Sequence, residues 1–348
     1  MRSTFVLAAL MALAPAPLAA QQPAQARTLA VPANALWQHA RTSMILPFQS
    51  AGLARGGVRD NGEDERDVIA QYGSDSDEAF ATVYLFQTGV PDAALWFDRA
   101  LAPIMLRPEY GLQGTSPPVP VAFARPGDSA ASGLRASVDL TAPQLRSTAI
   151  ALAPLGDFMV KIRMSSARLD RAALDEILGR FIEGLRWPAE SARPATAAQP
   201  IAPSPEPLQL RNARTVRTEM TDSILGAALV GTISNSQAEN NRPPPVYCRE
   251  PGATLASGVY RPDAASDAYV IALNDAGIAY SVGEALDLSA LMGERSRGSR
   301  YSLTLLTRNA SGVVASFNRL PPPAQALSVA ERTGPQIMTS YDSPAQDD

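Results

Sequence analysis

The chain has 348 residues, of which 46% are hydrophobic, enough apolar material for real cores and a length that suits two domains. Only 18% are charged, so disorder of the whole chain is excluded, and a formal charge of −4 without a basic stripe disfavours nucleic acid as a partner. His39, Cys248 and Lys161 are the only residues of their types, against 29 Arg. That scarcity excludes an intrachain disulfide, a Cys-rich metal cluster and a His-rich zinc or haem site, and no cofactor is implied.

The N-terminus reads MRSTFVLAALMALAPAPLAAQQ. Arg2 supplies a positive n-region, and Phe5 to Leu13 form an apolar h-region. A Pro- and Ala-rich stretch with a small-residue end follows. This is the pattern of a secretory signal over residues 1–20, too short to span a bilayer, with cleavage after Ala20. It predicts a periplasmic or secreted protein, with no transmembrane span after signal cleavage. Residues 21–33 read as a disordered leader.

The first patterned region, residues 34–187, opens with strands near 44–48, 51–59, 67–72 and 80–87. Acid- and Gly-rich connections separate them. Pro91-Asp92 then starts a helix with Ala94, Phe97, Leu101, Ile104 and Met105 on one stripe, and Pro103 is expected to kink or shorten its last turn. Strands follow near 119–124, 133–140, 145–153 and 157–164. In the last, Phe158, Val160, Ile162 and Met164 alternate with Met159, Lys161 and Arg163, as in a half-buried antiparallel strand. Asp170 caps a helix whose stripe is Leu174, Ile177, Leu178, Phe181, Ile182 and Leu185. Strands, helix, strands, helix predict an α+β fold, an antiparallel sheet with packed helices.

Residues 188–207, PAESARPATAAQPIAPSPEP, read as an extended Pro/Ala linker that lets two modules take different orientations. Residues 208–242 hold a short helix capped by Asp222 and a polar connection. Residues 243–332 form a second, smaller β-rich α+β domain. Its strands lie near 254–260, 268–273, 278–282, 300–307 and 313–317, with turns at Asn274–Gly277 and Asn309–Gly312 and helical turns near Leu286–Met292. The tail, 333–348, reads as disordered.

Few residue patterns carry chemistry. His39, in WQHAR, reads as part of a short helix and is the only imidazole a Ser-His-Asp hydrolase could use. Gly127-Asp128-Ser129 resembles the GDS block of the SGNH hydrolases, but that family also needs a downstream DxxH, and no His follows His39. Lys161, on the polar face of its strand, reads as solvated. Two acidic loops stand out, Asp60, Glu63, Asp64 and Glu65 in one, Asp75, Asp77 and Glu78 in the other. Several oxygens on one loop suit calcium, and the same groups are the only abundant acid–base chemistry for a glycosidase. As hairpin turns they also keep sheet edges solvated. Trp96, Phe97 and Arg99 in ALWFDRA, and Phe181, Arg186 and Trp187 in FIEGLRW, have the aromatic-plus-Arg composition of binding hot spots and equally of helix packing. Cys248 reads as a small buried hydrophobe.

With ATVYLFQTGVPDAALWFDRAL, LRSTAIALAPLGDFMVKIRMSS and LDEILGRFIEGLRWP in view, residues 36–188 resemble uncharacterised exported proteins of alphaproteobacteria. Their element order is similar to the Mog1/PsbP-like α/β/α sandwich. That resemblance implies a binding or assembly module and brings no catalytic residues. The expectation is therefore a non-catalytic exported envelope accessory protein that binds a protein or cell-envelope component. The alternative is a carboxylate-dependent hydrolase acting on a cell-envelope glycan.

Overall fold

The structure is a computed structural model and describes residues 26–62, 64–74, 78–112, 115–189, 197–217, 244–285, 299–335 and 338–340. The signal peptide, Glu63, Asp75, Asp77, the Asp222 helix, the Leu286–Met292 turns and the DSPAQDD tail lie outside the described residues.

The first half contains β1 (Arg27–Leu29), β2 (Trp37–Gln38), β3 (Ile45–Leu46), β4 (Gln49–Ser50), β5 (Leu53–Asp60), β6 (Asp67–Gly73) and β7 (Phe80–Gln87). Helix α1 (Ala93–Leu106), β8 (Val121–Phe123), β9 (Gly133–Asp139), β10 (Ser147–Leu155), β11 (Phe158–Ser166) and α2 (Arg171–Gly184) complete it. The second half contains β12 (Ala202–Pro203), β13 (Thr215–Val216), β14 (Tyr247–Arg249), β15 (Ser257–Pro262), β16 (Tyr269–Leu273), β17 (Ile278–Glu284), β18 (Tyr301–Leu306) and β19 (Ala310–Phe317). It ends with α3 (Pro323–Thr333) and β20 (Thr339–Ser340).

The chain is an α+β protein with a sheet-rich character, built on two nine-stranded sheets. The first runs β1-β5-β6-β7-β11-β10-β9-β8, with β4 on β5, and its pairs are antiparallel. The second runs β12-β14-β15-β16-β17-β18-β19-β13, with β20 on β19. Strands β14 to β19 form a continuous antiparallel meander, the topology that short connections favour.

Strand alternation explains the layers. Val160, Ile162 and Met164 of β11 face α2, which seats Leu174, Leu178, Phe181 and Ile182 among them. Met159, from the opposite face of β11, joins Leu95, Trp96, Ile150 and Leu152 under α1. The Asp92 carboxylate caps α1 by accepting from the Leu95 N–H at 2.6 Å, and Asp170 caps α2 through the Ala173 N–H at 3.0 Å. Each large apolar chain fully buried this way contributes about 1.5–3 kcal/mol before ordering entropy is subtracted.

The second sheet alternates in the same manner. Tyr269 and Ile271 of β16 pack with Ala326 and Val329 of α3, whereas Val270 and Ala272 belong to the α1 core of the first half. From one side to the other the layers are therefore α2, first sheet, α1 beside the second sheet, and α3.

Pro103 lies buried inside α1, which stops three residues later at Leu106. Three expectations are corrected, on the leader, the linker and the tail. Arg27–Leu29 of the leader pair with Val58–Asp60 as an edge strand. The 188–207 segment is no free tether in its second half. Ala198 N–H donates to the Ala131 carbonyl, and Ala202–Pro203 pair in parallel with Cys248–Arg249. The region after Leu320 carries α3 and β20, where Thr339 and Ser340 pair with Ser311 and Ala310.

Candidate functional site

Two surfaces of the first sheet draw attention: one closed by the second half of the chain, one open. The closed one is built on α1. Arg99 is fully buried, and its guanidinium donates to the carbonyls of Asn274 (2.8 Å), Thr254 (3.1 Å) and Leu255 (3.0 Å). Asp98 accepts from the Tyr260 hydroxyl at 2.7 Å and from the Arg249 guanidinium. The aromatic-plus-Arg cluster of ALWFDRA is thus satisfied within the molecule. It recognises the loops of the second sheet, because a buried guanidinium must find several acceptors.

Lys161 is also corrected. It is 5% exposed, not solvated, and its ammonium lies 2.6 Å from the Asp275 carboxylate at the β16–β17 turn. The Tyr84 ring lies beneath it at 4.3 Å. Burial holds its pKa below the usual lysine range, opposed by Asp275. Nearby, Arg308 of the second half pairs with Asp67 of β6 at 2.5 Å. Burial raises the Asp67 pKa, and Arg308 opposes that.

The open surface continues the same face. Register places Arg59, Ile69, Tyr84 and Lys161 in one cross-strand row, Gln71, Thr82 and Arg163 in the next, and Gly73, Phe80 and Ser165 in a third. The second sheet closes over the Lys161 end of the first row, and Ser165 is buried, but the rest is only partly covered or bare. Gln71 is exposed and Phe80 is 50% exposed. A concavity of about 460 Å³ lies over the ends of β5, β6 and β7, lined by Ala54, Gly56, Gln71, Gly73, Phe80 and Thr82 among others. Arg55, Tyr72 and Ala81 line it too, but their side chains are buried, so the exposed side chains that it offers, Gln71 and Phe80, are those of the α1 side. A β-bulge at Gly56-Gly57 and the bare Gly73 leave its floor low.

Arg163, the cross-strand neighbour of Thr82, donates to the Tyr110 hydroxyl at 2.6 Å and stacks 5.5 Å from that ring, which fixes the guanidinium. The Tyr84 hydroxyl feels both Arg163 and Arg59, which oppose the upward pKa shift caused by its burial. Arg59, Gln71, Phe80, Thr82, Tyr84 and Arg163 were not singled out by sequence. The readable signals were the Gly-Gly pair inside a strand and the polar alternation of β11.

The other expected sites are dispersed. His39 is fully buried in the β2–β3 hairpin, not in a short helix. Its Nε2–H donates to the Glu65 carbonyl at 2.7 Å, and Nδ1 accepts from the Thr42 hydroxyl at 2.8 Å, an arrangement that assigns the neutral tautomer. Burial lowers its pKa, and contact with Glu65 opposes this. In the first acidic loop, Asp60 accepts from the Gly62 and Glu65 N–H groups, and Glu65 accepts from the Ala40 N–H. Those carboxylates hold turns. Glu78 lies on a different connection. Gly127-Asp128-Ser129 is a surface turn in which Asp128 pairs with Arg125 at 2.6 Å. Phe181 is core, Trp187 Nε1–H donates to the Ile182 carbonyl, and the Arg186 backbone bridges to Ile45. Cys248 is a buried free thiol on β14.

Among the described residues no group of three or more His, Cys, Asp or Glu could hold a metal ion. No helix among them is long and apolar enough to cross a membrane. No family model matches the chain, and neither a curated protein nor a solved structure does.

Proposed function

We propose that the chain is an exported, non-catalytic envelope accessory protein that binds a cell-envelope component through the open face of its first sheet. One observation carries this reading: a sheet face with an exposed Phe80 and a hollow floor, with Arg59 and Arg163 on its neighbouring strands, next to a face closed by α1 and the second sheet. The signal-like N-terminus supports export. The order of strands and helices supports a Mog1/PsbP-like sandwich for the first half, an architecture suited to binding.

The test is co-sedimentation of the mature protein with isolated cell envelopes, comparing wild type with Phe80→Asp, a change at an exposed position that leaves the core intact. Retention of wild type and loss of the variant is the expected result. Equal retention of both removes the face from the function. Release of soluble sugar from the envelopes by purified protein favours the hydrolase reading instead.

A further inference from the structure

We propose that the hollow is a subsite for an acidic sugar, a pyranose carrying a carboxylate, within an envelope glycan; this rests on the binding role proposed above. Charge is the first support. Four cations border the face: Lys161, Arg308, Arg59 and Arg163. Lys161 and Arg308 are neutralised by Asp275 and Asp67. The Arg59 side chain makes no hydrogen bond or ion pair with another described residue, and Arg163 has no carboxylate partner among them. Two guanidinium groups on one face with no carboxylate partner among the described residues are complementary to an anion, and a planar fork suits a carboxylate.

The floor selects the rest of the ligand. It is the face of a sheet, not an edge, so an extended peptide would find no free ladder of backbone groups to join. A sugar ring needs a flat apolar surface for its C–H side and short polar groups for its hydroxyls. The exposed Phe80 ring offers the first, and the Gln71 amide and Thr82 hydroxyl offer the second. A volume of about 460 Å³ matches one or two rings better than a folded partner. Gly73 keeps the floor clear: a Cβ built there meets nothing within 4 Å, and its φ is not in the left-handed region. No packing constraint therefore demands glycine at this position, and its missing side chain leaves the floor unobstructed.

The experiment is titration calorimetry on the mature chain with tetragalacturonic acid. Neutral cellotetraose and a tetraglutamate peptide serve as comparison probes. Wild type should bind the acidic sugar more tightly than either comparison probe, with affinity that falls as salt is added. Arg163→Gln and Arg59→Gln should each weaken binding by about tenfold or more. Gly73→Val should abolish it while the circular dichroism and melting temperature stay at wild-type values. No binding of tetragalacturonic acid, equal binding of either comparison probe, or unchanged affinity in all three variants would overturn the assignment. If wild type ignores the acidic sugar yet Phe80→Asp still loses envelope retention, the sugar assignment fails and the binding face stands. If retention is also unaffected, both fail.

Discussion

Lys161 and Asp275 meet at 2.6 Å although 114 residues separate them along the chain. The lysine rises from β11 of the first sheet, and the carboxylate sits at the tip of the β16–β17 turn of the second. Around them the turn is fastened by Arg99, through the Asn274 carbonyl, and by the Gly89 N–H, which donates to the Gly277 carbonyl at 2.8 Å. The sole lysine of the chain therefore joins its two halves.

The pair is asymmetric, and mutation should reveal it. The Lys161 side chain is 6% exposed and that of Asp275 is 34% exposed. Asp275→Asn leaves a buried ammonium without its counter-charge and should cost about 3 kcal/mol. Lys161→Met keeps the apolar stem and frees a carboxylate that water can reach, so it should cost about 1 kcal/mol. Urea denaturation midpoints measure both. Equal losses, or a larger loss for Lys161→Met, would contradict the burial asymmetry.

Gly277 tests the docking of the turn. Its φ is +81°, and a Cβ there would lie 2.6 Å from the Gln87 carbonyl oxygen. Gly252 has a similar φ of +89° with nothing within 4 Å of the added atom. Left-handed strain alone should cost Gly252→Ala about 1–2 kcal/mol. Gly277→Ala carries the same strain plus a backbone clash, and should lose about 1–3 kcal/mol more. Matching thermal shifts for the two variants would show that the turn yields without resistance.

His39 should give the chain an acid-sensitive element. Its folded pKa lies below the unfolded value of about 6.5, so the unfolded state binds the proton first. The stability contributed by the neutral imidazole is complete above that value and declines as pH falls toward the folded pKa. Raised carboxyl pKa values at Asp67, Asp98 and Asp92, the last to about 6, act with the opposite sign and are common to wild type and variant. Chemical denaturation at several pH values between about 7.5 and 5 should show a steeper acid loss for wild type than for His39→Gln. Parallel curves would mean that the imidazole does not titrate differently on folding.

Most of the strands and the first two helices were legible because their signals are local. Asp92 and Asp170 cap the helices they precede, and Val160, Ile162 and Met164 of β11 share one face as their spacing implies. The α3 helix was not legible: Pro321, Pro322 and Pro323 mask its start, and only Ala326, Val329 and Ala330 are buried on its face. The hairpin around His39 was missed because two-residue strands carry no period. The candidate site was barely legible, since its residues come from separate strands and several are small or neutral.

Periodicity alone determined that Lys161 and Arg163 leave β11 on the face opposite Val160 and Ile162. It could not determine their different surroundings, because a strand's period names a face and not what is laid on it. Only the folded chain decided that a distant turn would bury one cation against a carboxylate while the other, two residues on, stayed partly exposed beside Tyr110. The physical reason is that burial and charge pairing are set by contacts between segments far apart in sequence, whereas backbone geometry is set by neighbours.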